Sequence, residues 1–118
     1  MLRVTMTALL LAVCAMAGSA TGKWSGTITP DDGDGPKPIY LILNEDGGKL
    51  TGSGGPNESE QHPMQNGKVE GDRLTFEVPA GKGTFIFDLK INGDEVTGKL
   101  ELKGESETRT AKVAVKRS

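Results

Sequence analysis

Between Leu74 and Lys116 the chain alternates apolar and polar side chains almost one for one, and that period of two decides most of what it can become. Leu74, Phe76 and Val78 are interleaved with Thr75 and Glu77, and Phe85, Phe87, Leu89 and Ile91 with Ile86, Asp88 and Lys90. Val96, Gly98, Leu100 and Leu102 follow, set between Thr97, Lys99 and Glu101, and then Ala111, Val113 and Val115 between Lys112 and Ala114. Successive side chains of a strand point to opposite faces, so each run buries one face and wets the other. No segment after the first twenty residues places apolar residues three and four apart in the manner of a helix face. The reading is all-β.

The first half is less regular but continues the pattern in Trp24, Gly26, Ile28, in Ile39, Leu41, Leu43 and in Leu50, Gly52, Gly54. A weaker strand falls within residues 64–70. There Met64 and Val69 have opposite parity, and a bulge between them is needed for both to face the same side. This gives eight strands. A turn phrase recurs in Asp46-Gly47-Gly48-Lys49-Leu50-Thr51, Glu70-Gly71-Asp72-Arg73-Leu74-Thr75 and Asn92-Gly93-Asp94-Glu95-Val96-Thr97. Gly, Asn or Asp supplies the positive φ of a tight hairpin, and the following strand opens on an aliphatic residue and a threonine. Consecutive strands are therefore antiparallel.

The remaining connections, at residues 30–38, 54–63, 79–83 and 103–108, read as longer. Because successive hairpins turn at opposite ends, all four belong to one end. Eight antiparallel strands with one apolar face cover that face by closing on themselves, which also removes exposed edges. The fold expected is an eight-stranded antiparallel up-and-down barrel. Its inward positions carry enough large apolar side chains to favour a filled interior, with Gly26, Gly52, Gly54 and Gly98 serving bends and close packing before any pocket.

The N-terminus has a different character. Arg3 precedes an apolar run over residues 7–17, and small residues follow at Ala15, Ala17, Gly18, Ser19 and Ala20. This is the layout of a secretory signal, so residues 1–20 read as a signal peptide cut after Ala17 or Ala20, and residues 21–118 as one small barrel domain. The location expected is secreted or periplasmic. Cys14 is the only cysteine. Val13 stands before it where a lipidated cysteine wants a small residue, which leaves lipid anchoring as the alternative. Without Cys14 the exported chain has neither disulfide nor thiolate metal site, and stability falls to the core. The apolar run is too short to span a bilayer, and no later segment reads as a transmembrane helix.

Net charge is −2, with no basic run, which argues against nucleic acid or anionic membrane as partner. The acidic stretch from Pro30 to Pro38 raises the question of calcium. A calcium loop wants three oxygen donors on alternating residues, a glycine and a distal glutamate. Asp32 and Asp34 fit but Pro36 takes the third place, so the stretch reads as a turn, with a weak calcium site on Asp31, Asp32 and Asp34 as the alternative, and no metal or other cofactor is expected. His62 is the sole histidine, set in a loop with Glu58 and Glu60. Acid–base chemistry there needs a shielded dyad, whereas an exposed loop histidine needs no function.

Gly22-Lys23-Trp24 at the first strand, Gly48-Lys49-Leu50-Thr51-Gly52 and the ending Val115-Lys116-Arg117-Ser118 resemble the calycins, the barrels of avidin and lipocalin type. They also resemble small exported bacterial modules built on Gly-x-Trp, Leu-Thr-Gly and Gly-Asp/Asn-x-Leu-Thr-Phe, which have no assigned activity. The resemblance implies a barrel plugged at its closed end by Trp24 under an arginine of the last strand, here Arg117. The parity of the strands leads to the same pair independently, since strand eight closes onto strand one and both residues face inward. Avidin's biotin chemistry does not carry over, because Gly26 and Gly54 stand where polar and tyrosine ligands are expected and Trp24 is the single tryptophan.

The function expected is that of an exported, non-catalytic binding or accessory module. Its contact with a small molecule or another exported protein lies at the long-loop end, among Asp31, Asp32, Asp34, Glu58, Glu60 and His62. The alternatives are a small hydrolase or isomerase using His62 and the acidic loops, and a structural module docked on a larger exported enzyme. Oligomeric state is not legible.

Overall fold

The computed structural model describes residues 20–118. The segment read as a signal peptide, apart from Ala20, and Cys14 lie outside the described residues. Nine strands follow in order: β1 (Gly22–Pro30), β2 (Lys37–Asp46), β3 (Lys49–Gly55), β4 (His62–Pro63), β5 (Gln65–Glu70), β6 (Arg73–Ala80), β7 (Gly83–Asn92), β8 (Glu95–Lys103) and β9 (Thr108–Arg117). All pair antiparallel with their neighbours, and β9 pairs with β1 from Trp24 opposite Arg117 to Pro30 opposite Ala111, which closes the sheet. No helix occurs among the described residues.

Strands β4 and β5 both lie against β3 and together occupy the place of a single fourth strand, so the barrel has eight staves. The expected bulge is present. The register of β5 against β6 shifts between Gln65 and Lys68, and Asn66 adopts a left-handed φ of 54°. With that extra step Met64 and Val69, despite opposite parity, both pack against the core.

Turns of two residues close residues 47–48, 71–72 and 93–94 at one end. The other end carries loops 31–36, 56–61 and 104–107. The connection at residues 79–83 departs from expectation. Ala80 pairs with Gly83, and only residues 81–82 form the turn, with Gly81 at φ 62°. The alternation that the prolyl stretch obscured in the sequence runs on to Ala80.

The core is the inward parity of every strand. Trp24, Leu41, Leu43, Leu50, Leu74, Phe76, Leu89, Val96 and Val115 are all at most 2 % exposed and fill the half nearest the tight turns. Phe76 and Phe87, directly opposite on β6 and β7, stack with centroids 4.6 Å apart. Burying side chains of this size stabilises by about 1.5–3 kcal/mol each before chain entropy is counted, so this half of the lumen holds the fold. Outside, the wet face carries cross-strand ion pairs such as the forked Arg73–Asp88 contact at 2.8 and 2.9 Å.

Tight closure requires neighbouring backbones to approach where strands coil. A Cβ at Gly26 would stand 2.0 Å from the Ala114 carbonyl oxygen, and at Gly98 it would stand 2.3 Å from that of Asp88. At Gly52 it would lie 1.9 Å from the Ile42 oxygen, and φ there is 138°, a conformation L residues rarely adopt. The expected role of these three glycines in bending and packing is thus met. Gly54 differs in degree: a Cβ there would meet a side chain and no backbone closely, Leu41 Cδ2 at 3.0 Å, and the residue also lines the open space inside the barrel.

The closed end is sealed by Trp24 and Arg117. The guanidinium carbon lies 4.3 Å from the indole centroid. Arg117 also donates from Nε to Asp94 Oδ1 at 2.9 Å and from Nη1 to the Thr21 carbonyl at 2.8 Å. Its Nη1 comes within 3.0 Å of where a Cβ on Gly22 would stand, which accounts for glycine at the head of β1.

Two outcomes check this architecture. Replacing Gly52 with Ala is expected to lower stability in urea unfolding by about 1–3 kcal/mol or more, while Gly35→Ala, with nothing within 4 Å of its Cβ, changes it by less than about 0.5 kcal/mol. Equal midpoints for the two variants would contradict the close approach at Gly52. In a double-mutant cycle of Trp24→Leu and Arg117→Ala, the coupling expected of a cation over an aromatic face is about 0.5–2 kcal/mol, and additive losses would mean the stack contributes nothing.

Candidate functional site: the open half of the barrel

Above the Phe76–Phe87 stack the inward positions become small. Gly54, Ala80 and Ala111 stand where the lower levels have leucine, phenylalanine and valine, and the barrel no longer fills. A cavity of about 560 Å³ results, walled by Ile28, Ile39, Val78, Phe85, Phe87, Leu100 and Leu102. This departs from the filled interior expected from the number of apolar side chains. The total is large enough, but it is distributed unevenly along the axis.

Polar groups are confined to the mouth. Lys37 at the start of β2, Glu60 within the second long loop and His62 just after it, and Arg109 and Thr110 at the start of β9 border the opening. Arg109 has the same parity as Ala111, Val113 and Val115. It is the inward residue at the open end of β9, as Arg117 is at the closed end.

The six residues singled out from the sequence take three different positions. Glu60 and His62 line the cavity mouth. Glu58 does not: it reaches the outer wall, where its Oε2 accepts a hydrogen bond from Lys23 Nζ at 2.7 Å and raises the pKa of that lysine. The loop is folded back by Asn57, whose Oδ1 accepts from the backbone N–H groups of Ser59 and Glu60. Gln61 adds to this, donating to the Tyr40 and Asn57 carbonyls while accepting from Ser53 Oγ.

The three aspartates of the first loop form a strap across the start of β9. Asp31 accepts from Thr110 Oγ1 at 2.8 Å, and its own N–H donates to the Thr110 carbonyl at 3.0 Å. Asp32 pairs closely with Arg109 Nη2, and Asp34 lies 3.4 Å from the same nitrogen. Asp32 Oδ1 also accepts from the Asp34 N–H at 3.1 Å, closing an Asx turn. These bonds hold the Asp32 carboxyl below its usual range, the Asp34 N–H contributing most and Arg109 next, and the aspartates in turn raise Arg109. In the stretch that raised the question of calcium, two carboxylates face an arginine and the third a threonine hydroxyl. Among the described residues no group of three or more His, Cys, Asp or Glu is placed to hold a metal ion.

What the arrangement can do chemically follows from its two zones. The interior is apolar and offers dispersion contacts and exclusion of water, while the rim offers two cations, a histidine and a carboxylate within reach of a ligand's exposed end. Among the described residues His62 makes no hydrogen bond to a carboxylate, so the base and orienting partner of an acid–base dyad are not assembled. Reading the sequence missed Arg109, Lys37 and the apolar walls as site residues. Arg109 was findable, since an arginine in phase with a buried Ala-Val-Val run must face the lumen at a strand end.

Compared with known proteins, the chain matches no family model, no curated protein and no solved structure. The site therefore stands on its own geometry. No helix among the described residues is long and apolar enough to cross a membrane.

The strap makes a pH-dependent outcome measurable. Because the folded pKa of Asp32 is depressed, its ionised form favours the strapped loop at pH values above the ordinary carboxylate range, and this contribution is lost as pH falls through the folded value. Carboxyl carbon titration by NMR is expected to place Asp32 below an ordinary aspartate. In Arg109→Ala its midpoint should move up but only part of the way, because the Asp34 N–H still donates to it. An unchanged midpoint in that variant would remove Arg109 from the strap.

Proposed function

We propose that the protein is an exported, non-catalytic barrel of calycin kind that carries one small, largely apolar molecule in the open half of its lumen. The ligand enters between the loops at residues 31–36, 56–61 and 104–107. Its apolar body rests on Phe87 and against Val78, Phe85 and Leu102, and its polar end meets Lys37, His62 and Arg109 at the rim. The single observation that carries this reading is the cavity itself. Its volume of about 560 Å³ falls in the range of small-molecule sites, roughly 300–1,000 Å³, and its wall is apolar with polar groups only at the opening. A packed domain rarely keeps such a space among phenylalanines and leucines without use, since an unfilled cavity forfeits dispersion contacts and costs about 24 cal/mol per Å³ in measured core deletions.

Binding is favoured over acid–base catalysis because the groups that face the interior are apolar and the titratable ones are confined to the rim, where Lys37, Glu60 and Arg109 are exposed and His62 is half-buried. The long-loop end remains the face of contact, but the ligand's main contacts lie below the loops.

Two measurements test the reading. Native mass spectrometry of the protein taken from its own compartment is expected to show one bound small molecule that dissociates on unfolding. Titration of the emptied protein with an anilinonaphthalene sulfonate dye is expected to give one saturable site with blue-shifted emission. Ala111→Phe sets a ring into the cavity wall beside Leu100, its partner on β8, and should weaken that dye by about tenfold or more, as the loss of about 1.4 kcal/mol of contact requires. A dye isotherm that does not saturate, or that ignores Ala111→Phe in a folded variant, would overturn the lumen as the site.

A further inference from the structure

The closed end is completed by residues that precede the first strand. Ala20 is 1 % exposed and belongs to the core cluster. Its carbonyl accepts the hydrogen bond of the Trp24 indole N–H at 2.9 Å, a buried contact. Its own N–H donates to Glu45 Oε1 at 2.9 Å, and the next residue, Thr21, accepts from the Glu45 N–H through Oγ1 at 3.0 Å and from Arg117 Nη1 through its carbonyl. Residues 20–21 thus lie across the base of the barrel, tied to β1, β2 and β9.

We propose that export processing cuts the chain after Ala17 and that Gly18, Ser19 and Ala20 remain on the exported protein. The inference rests on the reading of the leading segment as a secretory signal, and it selects between the two cleavage positions that the sequence leaves open. The reaction is hydrolysis of the Ala17–Gly18 amide by an export endopeptidase that accepts small residues. Water supplies the hydroxyl to the Ala17 carbonyl and the proton to the Gly18 amine. Ala15 and Ala17 present the small-x-small pattern such an enzyme reads.

Cutting after Ala20 would present the same pattern through Gly18 and Ala20, but it removes a structural group. The Trp24 N–H, buried with Ala20 over it, loses both its acceptor and its cover, and must either go unmet or be reached by water at the base of the core. The cut would also take away the N–H from which Glu45 Oε1 accepts at 2.9 Å, one of the ties between the start of the chain and β2. A cut after Ala17 places the new amine three residues earlier in the chain and leaves all four bonds in place.

The test has two arms. The intact mass of the product exported from the full-length precursor is expected to correspond to a chain beginning at Gly18. A product beginning at Thr21, or at a lipidated Cys14, overturns the proposal. One still beginning at Met1 overturns it through the export reading on which it rests.

The second arm isolates the structural argument. Chains beginning at Gly18 and at Thr21 both contain every strand, and the shorter is expected to melt about 5–10 °C lower. With Trp24→Phe in both, which deletes the N–H and keeps an aromatic ring, the gap should narrow by half or more. Equal melting temperatures for the two chains overturn the role of Ala20, and so does a gap that Trp24→Phe leaves unchanged. If the chain beginning at Thr21 fails to fold while that beginning at Gly18 folds, the proposal is supported.

Discussion

The pairing of β9 with β1 is the contact on which the rest of the molecule depends. Seven matched positions, from Trp24 opposite Arg117 to Pro30 opposite Ala111, join the two ends of a sheet that would otherwise present two long unpaired edges and an uncovered apolar face. Closure makes one parity of every strand an interior and the other an exterior, so each side chain's environment is set by whether its number is in or out of phase. It also makes the barrel a non-local structure, because its first and last strands are almost a chain length apart. The glycines at 26, 52 and 98 belong to this constraint, since they allow adjacent backbones to coil closely enough for eight strands to meet.

An eight-strand interior is just wide enough for side chains to fill, and whether it fills depends on what each level along the axis contains. Near the tight turns the level is crowded by Trp24, Leu43, Leu50, Leu74, Leu89, Val96 and Val115. Near the loops the same staves offer Gly54, Ala80 and Ala111 beside Ile28 and Phe85, and the volume missing from those three positions becomes the cavity. The bulge in the fourth stave has a related effect. It lets Met64 and Val69 both reach the core while a short element, β4, brings His62 to the mouth beside Gly54.

The sequence made the staves and their parity legible because period two is a local property, and it revealed the bulge because Met64 and Val69 conflict within a few residues. The inward pairing of Trp24 with the β9 terminus also followed from strand order and parity alone. The cavity was not legible. It depends on which residues of eight different strands share a level, and that requires register, a non-local quantity that turn lengths constrain only loosely. For the same reason the acidic residues could be placed at one end but not assigned to its inside or outside. Glu58 stands in a loop that doubles back after β3, and only the Asn57 and Gln61 bonds that fold this loop determine that it meets Lys23 on the outer wall. The two-residue turn at 81–82 was obscured by Pro79, which reads as loop punctuation but sits on an outward position of β6.

The two arginines of β9 show how identical chemistry at equivalent positions gives opposite ends. Both face inward, at residues 109 and 117 of one strand. Arg117 meets a flat indole beneath it and oxygens of Asp94 and Thr21 around it, so its side chain is drawn down over the core, is only 30 % exposed and closes the lumen. Arg109 has no such stack among the described residues. Its partners are the carboxylates of Asp32 and Asp34, on a loop whose glycines and prolines hold it out at the rim, and the side chain is drawn sideways to 44 % exposure. A guanidinium lies over the lumen where an aromatic ring fills the level below it and stands at the margin where that level holds alanine and glycine. The ring beneath Arg117 and the carboxylates that draw Arg109 aside, above the small Ala111, together decide which end is a plug and which is a mouth.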